Sequence, residues 1–220
     1  MTKLYSACKD RIICIETVPN PENSSLRVKA KPVSFPLSAE DRELVETLKE
    51  MTVELGGVGL AAPQIDISKR VAAIYIPEEA VKLRDNIEPK AVHVILNAEY
   101  EPLLEEGMYR DLEGCYSVDS IMGKVRRAKA IRVCYYTEEG VRVEKIERGF
   151  YARVLQHEID HLDGILIIDR LTPDCPQGSL EEMLELRKQE LQAQGKDTRS
   201  LDETLEKIKE IRLKQTPEVP

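Results

Sequence analysis

The chain contains no tryptophan and only two phenylalanines in 220 residues, so its core must rest on Leu, Ile and Val rather than on aromatic rings. It has no run approaching the ~20 apolar residues that a membrane-spanning helix requires, and no membrane association is expected. A basic surplus is missing too. The formal net charge of −8 is the wrong sign for a protein that coats phosphate backbones, and direct sequence-specific nucleic-acid binding is not expected either. Five cysteines, at positions 8, 14, 115, 134 and 175, are odd in number and too dispersed for a disulfide framework. The opening MTKLYSACKDRIICIE breaks its apolar residues with Lys9, Asp10 and Arg11, which makes a poor signal peptide. The expectation is a chain of a reducing compartment, where a thiol can remain a thiolate ligand.

What is present has an ordinary globular balance, with 42% hydrophobic and 33% charged residues. Residues 17–38 carry four prolines among Asn and Ser and read as an extended, loop-rich entry. Ser38 then opens a helical run, AEDRELVETLKEMTVEL, with acids in its first turn and Gly56-Gly57 at its end. Leu44, Leu48, Met51 and Leu55 recur at helical spacing as one stripe for burial. From 70 to 148 the pattern turns strand-like, in RVAAIYI, AVHVILN, AIRVCYY and VRVEKIE. Glu138-Glu139-Gly140 reads as a hairpin turn between the last two. Residues 150–162 are helical by periodicity and stop at Gly164. Beyond Pro173, capping-box patterns at 179–182 (SLEE) and 200–203 (SLDE) each predict a helix start. The fold class expected is α+β, a catalytic domain over 1–172 with a helical C-terminal extension over 173–220.

The chemistry concentrates in His157-Glu158-Ile159-Asp160-His161. Residues i and i+4 share a helix face, so both imidazoles can reach one metal ion. Glu158 sits one step round, placed to exchange protons with a water that the ion acidifies. By composition alone such a motif arises in on the order of one chain of this kind in 200. Histidines satisfied by ordinary contacts are the alternative. A catalytic site of this type has a third protein ligand. His93, the remaining histidine, lies in a strand-like run and reads as packed core, whereas Cys115 in Glu113-Gly114-Cys115-Tyr116-Ser117 offers a thiol. A lone cysteine is more often a small buried apolar residue. Asp160 reads equally as an orienting or anchoring carboxylate and as a solvated one.

Three separated segments resemble, in order, the signature motifs of peptide deformylases. They are Gly57-Val58-Gly59-Leu60-Ala61-Ala62-Pro63-Gln64, Glu113-Gly114-Cys115-Tyr116-Ser117, and Gln156-His157-Glu158-Ile159-Asp160-His161-Leu162-Asp163-Gly164. The resemblance runs from about residue 26 to 172. It implies one divalent metal ion, natively Fe2+ and replaceable by Zn2+, Ni2+ or Co2+, held by Cys115, His157 and His161. It also implies Glu158 as general acid and base, with the Gln64 side-chain amide and the Tyr116 backbone amide stabilising the oxyanion. The reaction implied is hydrolysis of the formyl group from formyl-methionyl nascent peptides, releasing formate, in a bacterial cytoplasm or an organellar matrix.

Gly57 and Gly59, without Cβ atoms, let a backbone lend N–H and C=O groups to an extended peptide, with Val58 and Gly114 on the same binding surface. Phe150 and Val154 share the helix face of His157 and His161; they are either the floor of a methionine pocket or plain core. In the family the C-terminal region can mediate ribosome contact, and residues 173–220 are the segment that would carry it here. The chain departs from the family pattern at four places. Tyr116 stands for the usual Leu and Asp119 for a common Pro. Gln64-Ile65-Asp66 lacks a common Gly, and Asn97-Ala98 replaces Asn-Pro. The basic stretch Lys124–Arg132 reads as a solvated strand-and-turn face, with a docking surface for the ribosome or an acidic peptide as the alternative. Two alternatives remain at this stage: a thiolate-ligated metallo-amidase or peptidase, and a deformylase-like metal- and peptide-binding protein without turnover.

Overall fold

The computed structural model describes residues 5–8, 11–14, 25–78, 80, 87–118 and 121–215, with side chains for 25–78, 80, 87–118 and 121–208. Asp119 and most of the proline-rich entry lie outside them. Strands β1 (Tyr5–Cys8) and β2 (Arg11–Cys14) pair antiparallel with each other. Helix α1 (Ala39–Glu54) starts where the sequence predicts. Ser38 holds extended dihedrals and its hydroxyl accepts the Asp41 amide at 3.0 Å, with Glu40 and Asp41 in the first turn. Leu44, Val45, Leu48 and Met51 are its buried stripe, and Gly56 takes φ +66° just past its end.

Strands β3 (Gly59–Ala61), β4 (Val71–Ile76), β5 (Lys90–Pro102), β6 (Met108–Glu113), β7 (Met122–Ala128), β8 (Ala130–Tyr136) and β9 (Arg142–Arg148) follow. Next come α2 (Gly149–Leu162), the single turn α3 (Ile167–Arg170), β10 (Gln177–Gly178), α4 (Leu180–Ala193) and α5 (Arg199–Gln215). An antiparallel five-stranded sheet runs in the order β3-β4-β5-β8-β9, and an antiparallel three-stranded sheet in the order β10-β7-β6. Helix α2 packs on strands of both, which makes it the central element. No helix among the described residues is long and apolar enough to cross a membrane.

The two-residue period of β4 serves two cores at once. Ala72, Ile74 and Ile76 pack with the apolar face of α2, while Val71 and Ala73 pack with α1. In β5 a register shift falls at Asn97, which adopts φ +52°, so Leu96 lies on the α1 side and Ala98 on the α2 side. The Asn97 amide brackets the Val33 backbone, accepting from its N–H at 2.8 Å and donating to its C=O at 2.9 Å.

The four strand-like segments became β4, β5, β8 and β9. Gly140 sits at φ +79° in the β8–β9 turn and donates to the Thr137 carbonyl. Strands β6 and β7 escaped the pattern because Glu113 and Arg127 are among their few buried side chains and Gly123 has none. Arg127, expected in a solvated face, is buried with 2% exposure and bonded to Glu113. Arg126, Lys129 and Arg132 are exposed as read. At the C-terminus the Ser179 capping box forms, with reciprocal bonds to Glu182. The second predicted box does not. Helix α5 begins at Arg199 with Ser200 already inside it, because the Thr198 carbonyl takes the Leu201 and Asp202 amides.

Candidate metal centre

His157 and His161 lie one turn apart on α2, with ring centroids 4.9 Å apart and planes at 78°. The segment after β6 carries Cys115 to them, placing Sγ 3.3 Å from His161 Nε2. The thiol and one nitrogen of each ring all lie within 4.8 Å of one another. A tetrahedral ion with M–S ~2.3 Å and M–N ~2.1 Å needs donors roughly 3.5 Å apart, so these three side chains fit one ion. The orientation of the His157 ring agrees with that fit. His157 Nδ1 donates to Glu113 Oε2 at 3.0 Å, which points Nε2 into the cluster.

The two imidazoles differ in how readily they carry a proton. Burial works against a proton on His157, but the bonds to Cys115 and Glu113 outweigh it and hold it well above the usual imidazole range. His161, buried beside His157, is held well below that range.

Glu113 is itself pinned. Arg127 reaches it with two nitrogens, at 3.0 and 2.9 Å, and Arg153 Nη1 at 2.5 Å. Burial opposes ionisation of Glu113, yet the charge of Arg127 and the bond from His157 keep it well below the usual carboxylate range. Arg127 also pairs with Asp160, which Arg170 grips from the other side at 2.6 Å. Asp160, 3% exposed, thus anchors arginines, and the solvated alternative does not hold.

Glu158 is buried beside the cluster, and its Oε2 has no hydrogen-bond partner among the described residues. Burial pushes its carboxyl up to about 7, against the pull of His157. A Cβ on Gly59 would fall on the Glu158 carboxylate, so this glycine makes room for the acid. Gly57 faces the Tyr116 ring, where a Cβ would come within 2.8 Å. The Tyr116 hydroxyl donates to the Leu55 carbonyl at 2.9 Å. Gln64 Oε1 accepts from the Ala61 amide at 2.9 Å, turning Nε2 toward Ser117 Oγ (3.3 Å) and Cys115 Sγ (3.7 Å). Asp66, where a Gly is common, takes φ +59°, a conformation short polar residues tolerate, and accepts from Ser25.

A cavity of about 480 Å³ opens on the cluster, within the usual range for ligand sites. Gly56–Gly59 form one wall and Glu113–Tyr116 another, with Phe150, Val154, His157 and Glu158 beneath. Phe150 and Val154 line this cavity and also pack with the core. His93 stays out of the cluster and bonds Tyr151 through Nε2 at 2.8 Å. Glu113, Arg127 and Arg153 received no role from sequence reasoning. The available signal was Arg153, a charge four residues before His157 on a helix face that must be buried, which demands a buried acid.

Antiparallel sheets around an H-E-x-x-H helix, with a thiol and a buried carboxylate at a peptide-sized cleft, describe a metal-dependent hydrolase. The polypeptide deformylase family profile matches residues 13–177. A peptide deformylase 2 of Rickettsia conorii is 37% identical over 188 residues, covering 82% of this chain and 91% of that one. A Streptococcus pyogenes peptide deformylase is 37% identical over 191 residues, covering 79% and 93%. Among solved structures, a class I type b peptide deformylase from Acinetobacter baumannii, with Met-Ala-Ser bound, superposes with TM-score 0.63 at 34% identity, covering 71% and 96%. The Thermotoga maritima enzyme gives 0.59 at 32%, covering 73% and 98%. The chain belongs to the polypeptide deformylase family. It is a metal-dependent hydrolase that removes the N-terminal formyl group from nascent peptides.

Proposed function

We propose that Cys115, His157 and His161 hold the ion and that Glu158 handles the protons of the reaction. The observation that carries this is the convergence of a thiol and two imidazoles within 4.8 Å, beside a buried carboxylate with an unpartnered oxygen. When bound, the ion supplies Lewis acidity and a water nucleophile at neutral pH. Glu158 accepts the proton of the attacking water and returns it to the departing amine nitrogen. The Gln64 amide and the Tyr116 backbone N–H stabilise charge on the formyl oxygen. Gly57–Gly59 and Gly114 hold the peptide backbone, and Phe150 and Val154 receive the methionine. That the Acinetobacter relative has Met-Ala-Ser bound supports a peptide as the ligand of this chain.

A thiol-and-imidazole donor set suits a first-row divalent ion, and Fe2+ is the native choice proposed, with Zn2+, Ni2+ or Co2+ able to replace it. Cys115, Cys134 and Cys175 are free thiols, which fits a reducing cytoplasm or organellar matrix. Formate release from formyl-Met-Ala-Ser by protein loaded anaerobically with Fe2+ or Ni2+ is the test, beside acetyl-Met-Ala-Ser and Glu158→Ala. Turnover of the formyl peptide alone, falling by about 10²–10⁴ in the variant with metal retained, is expected. Equal cleavage of the acetyl peptide would instead indicate a general amidase.

A further inference from the structure

Leu180 lies outside all three motifs, at the start of α4, yet it lines the same cavity as Cys115 and Glu158. Its position is held from several directions. Strand β10 pairs Gln177 with Gly123 and Gly178 with Met122, and the Lys124 amide donates to the Pro176 carbonyl at 2.8 Å. Ser179 caps α4 one residue before Leu180, and Lys124 pairs with Glu190 further along the helix. Leu180 nevertheless leaves 44% of its surface exposed on the cavity side of this anchored turn. Ile121, 59 positions earlier, lines the cavity too and is 39% exposed, with half-buried Met122 beside it. Two of the chain's exposed large apolar side chains therefore meet on one cleft, continuous with the metal centre.

A formyl group held at Cys115, His157 and His161 fixes the direction of the chain that follows it. Methionine comes first, and later residues advance along the cleft at ~3.3 Å each. We infer that Leu180, with Ile121 and Met122, forms an apolar rim for the side chain of a residue downstream of the formylated methionine. The C-terminal extension thereby sets part of this enzyme's peptide preference. This rests on the placement of the formyl group proposed above.

The experiment compares parent, Leu180→Gln and a remote control, Leu104→Gln, at an exposed position away from the cleft. Each is assayed as Ni2+-loaded protein on formyl-Met-Ala and formyl-Met-Ala-Leu. In the parent and the control, the longer peptide should be favoured by the same ratio of kcat/KM. Leu180→Gln should lower that ratio on the order of fivefold, through KM with kcat alike. An unchanged ratio, or an equal loss on both peptides, overturns the rim. Calorimetric binding of unformylated Met-Ala-Leu against Met-Ala-Ser reads the rim without turnover. Equal affinities in parent and variant would reject the rim even where formate release succeeds. A preference for the leucine peptide that Leu180→Gln abolishes would support it even where formate release fails.

Discussion

In the proposed mechanism Glu113 touches no substrate and Gly59 only the peptide backbone, yet each decides whether a reacting group is in place. Glu113 takes the Nδ1 proton of His157 and so turns the other nitrogen toward the centre. Glu113→Gln keeps the volume and weakens that acceptance. Metal affinity should fall about 10- to 100-fold, read by chelator competition, as for other carboxylates behind a ligating histidine. Gly59 lends its missing Cβ to Glu158. Gly59→Ala should lose most formate release while bound metal stays stoichiometric, since the clash moves the acid and not the ligands. Full activity in Gly59→Ala would mean that Glu158 has room the structure does not give it.

At the scale of elements, α1 braces the segment that carries Gly57 and Gly59, and its start is a capped turn. Ser38→Ala removes the acceptor of the Asp41 amide and should cost about 1 kcal/mol, seen as a lower midpoint in urea. Asp41 adds a pH dependence. Burial raises its pKa, but the bonds from Lys69 and Ser38 outweigh this and leave it below 3.8. A carboxylate lowered by folding stabilises above its unfolded pKa, and the contribution disappears as pH falls through the folded value. The stability difference between parent and Asp41→Asn should therefore hold steady at neutral pH and shrink below about pH 3.8. A difference that grows on acidification would contradict the ion pair with Lys69. Helix α1 was legible because its cap, stripe and stop lie within twenty neighbouring residues.

For the molecule as a whole, Arg127 is the tie between the smaller sheet and the central helix. It bonds Glu113 at the end of β6 and Asp160 on α2 while almost fully buried. Arg127→Ala would leave two buried carboxylates short of their shared cation, at a cost of about 3–5 kcal/mol in denaturant unfolding. An exposed arginine of the same strand, Arg126, should cost well under about 1 kcal/mol when replaced by Ala. The two residues are adjacent and chemically identical in the sequence. Only the side of the strand on which each falls separates them.

That contrast marks the division between what the chain states locally and what folding adds. Helix α1, helix α2 with its histidines, and the β8–β9 turn depend on spacings of a few residues, so the sequence alone determined them. The three motifs likewise carried the family, and with it a metal-dependent hydrolysis of the formyl group. The thiol meets His161 across 46 positions, and Glu113 meets His157 across 44. Arg127 meets Asp160 across 33. No local pattern encodes such pairings. The buried ion pair of Glu113 and Arg127 even hid β6 and β7, because it broke the apolar alternation of two short strands. The tertiary structure decided those pairings, and with them the placing of Leu180 on the cleft. Each depends on two sheets closing on one helix, a condition that only the folded chain meets.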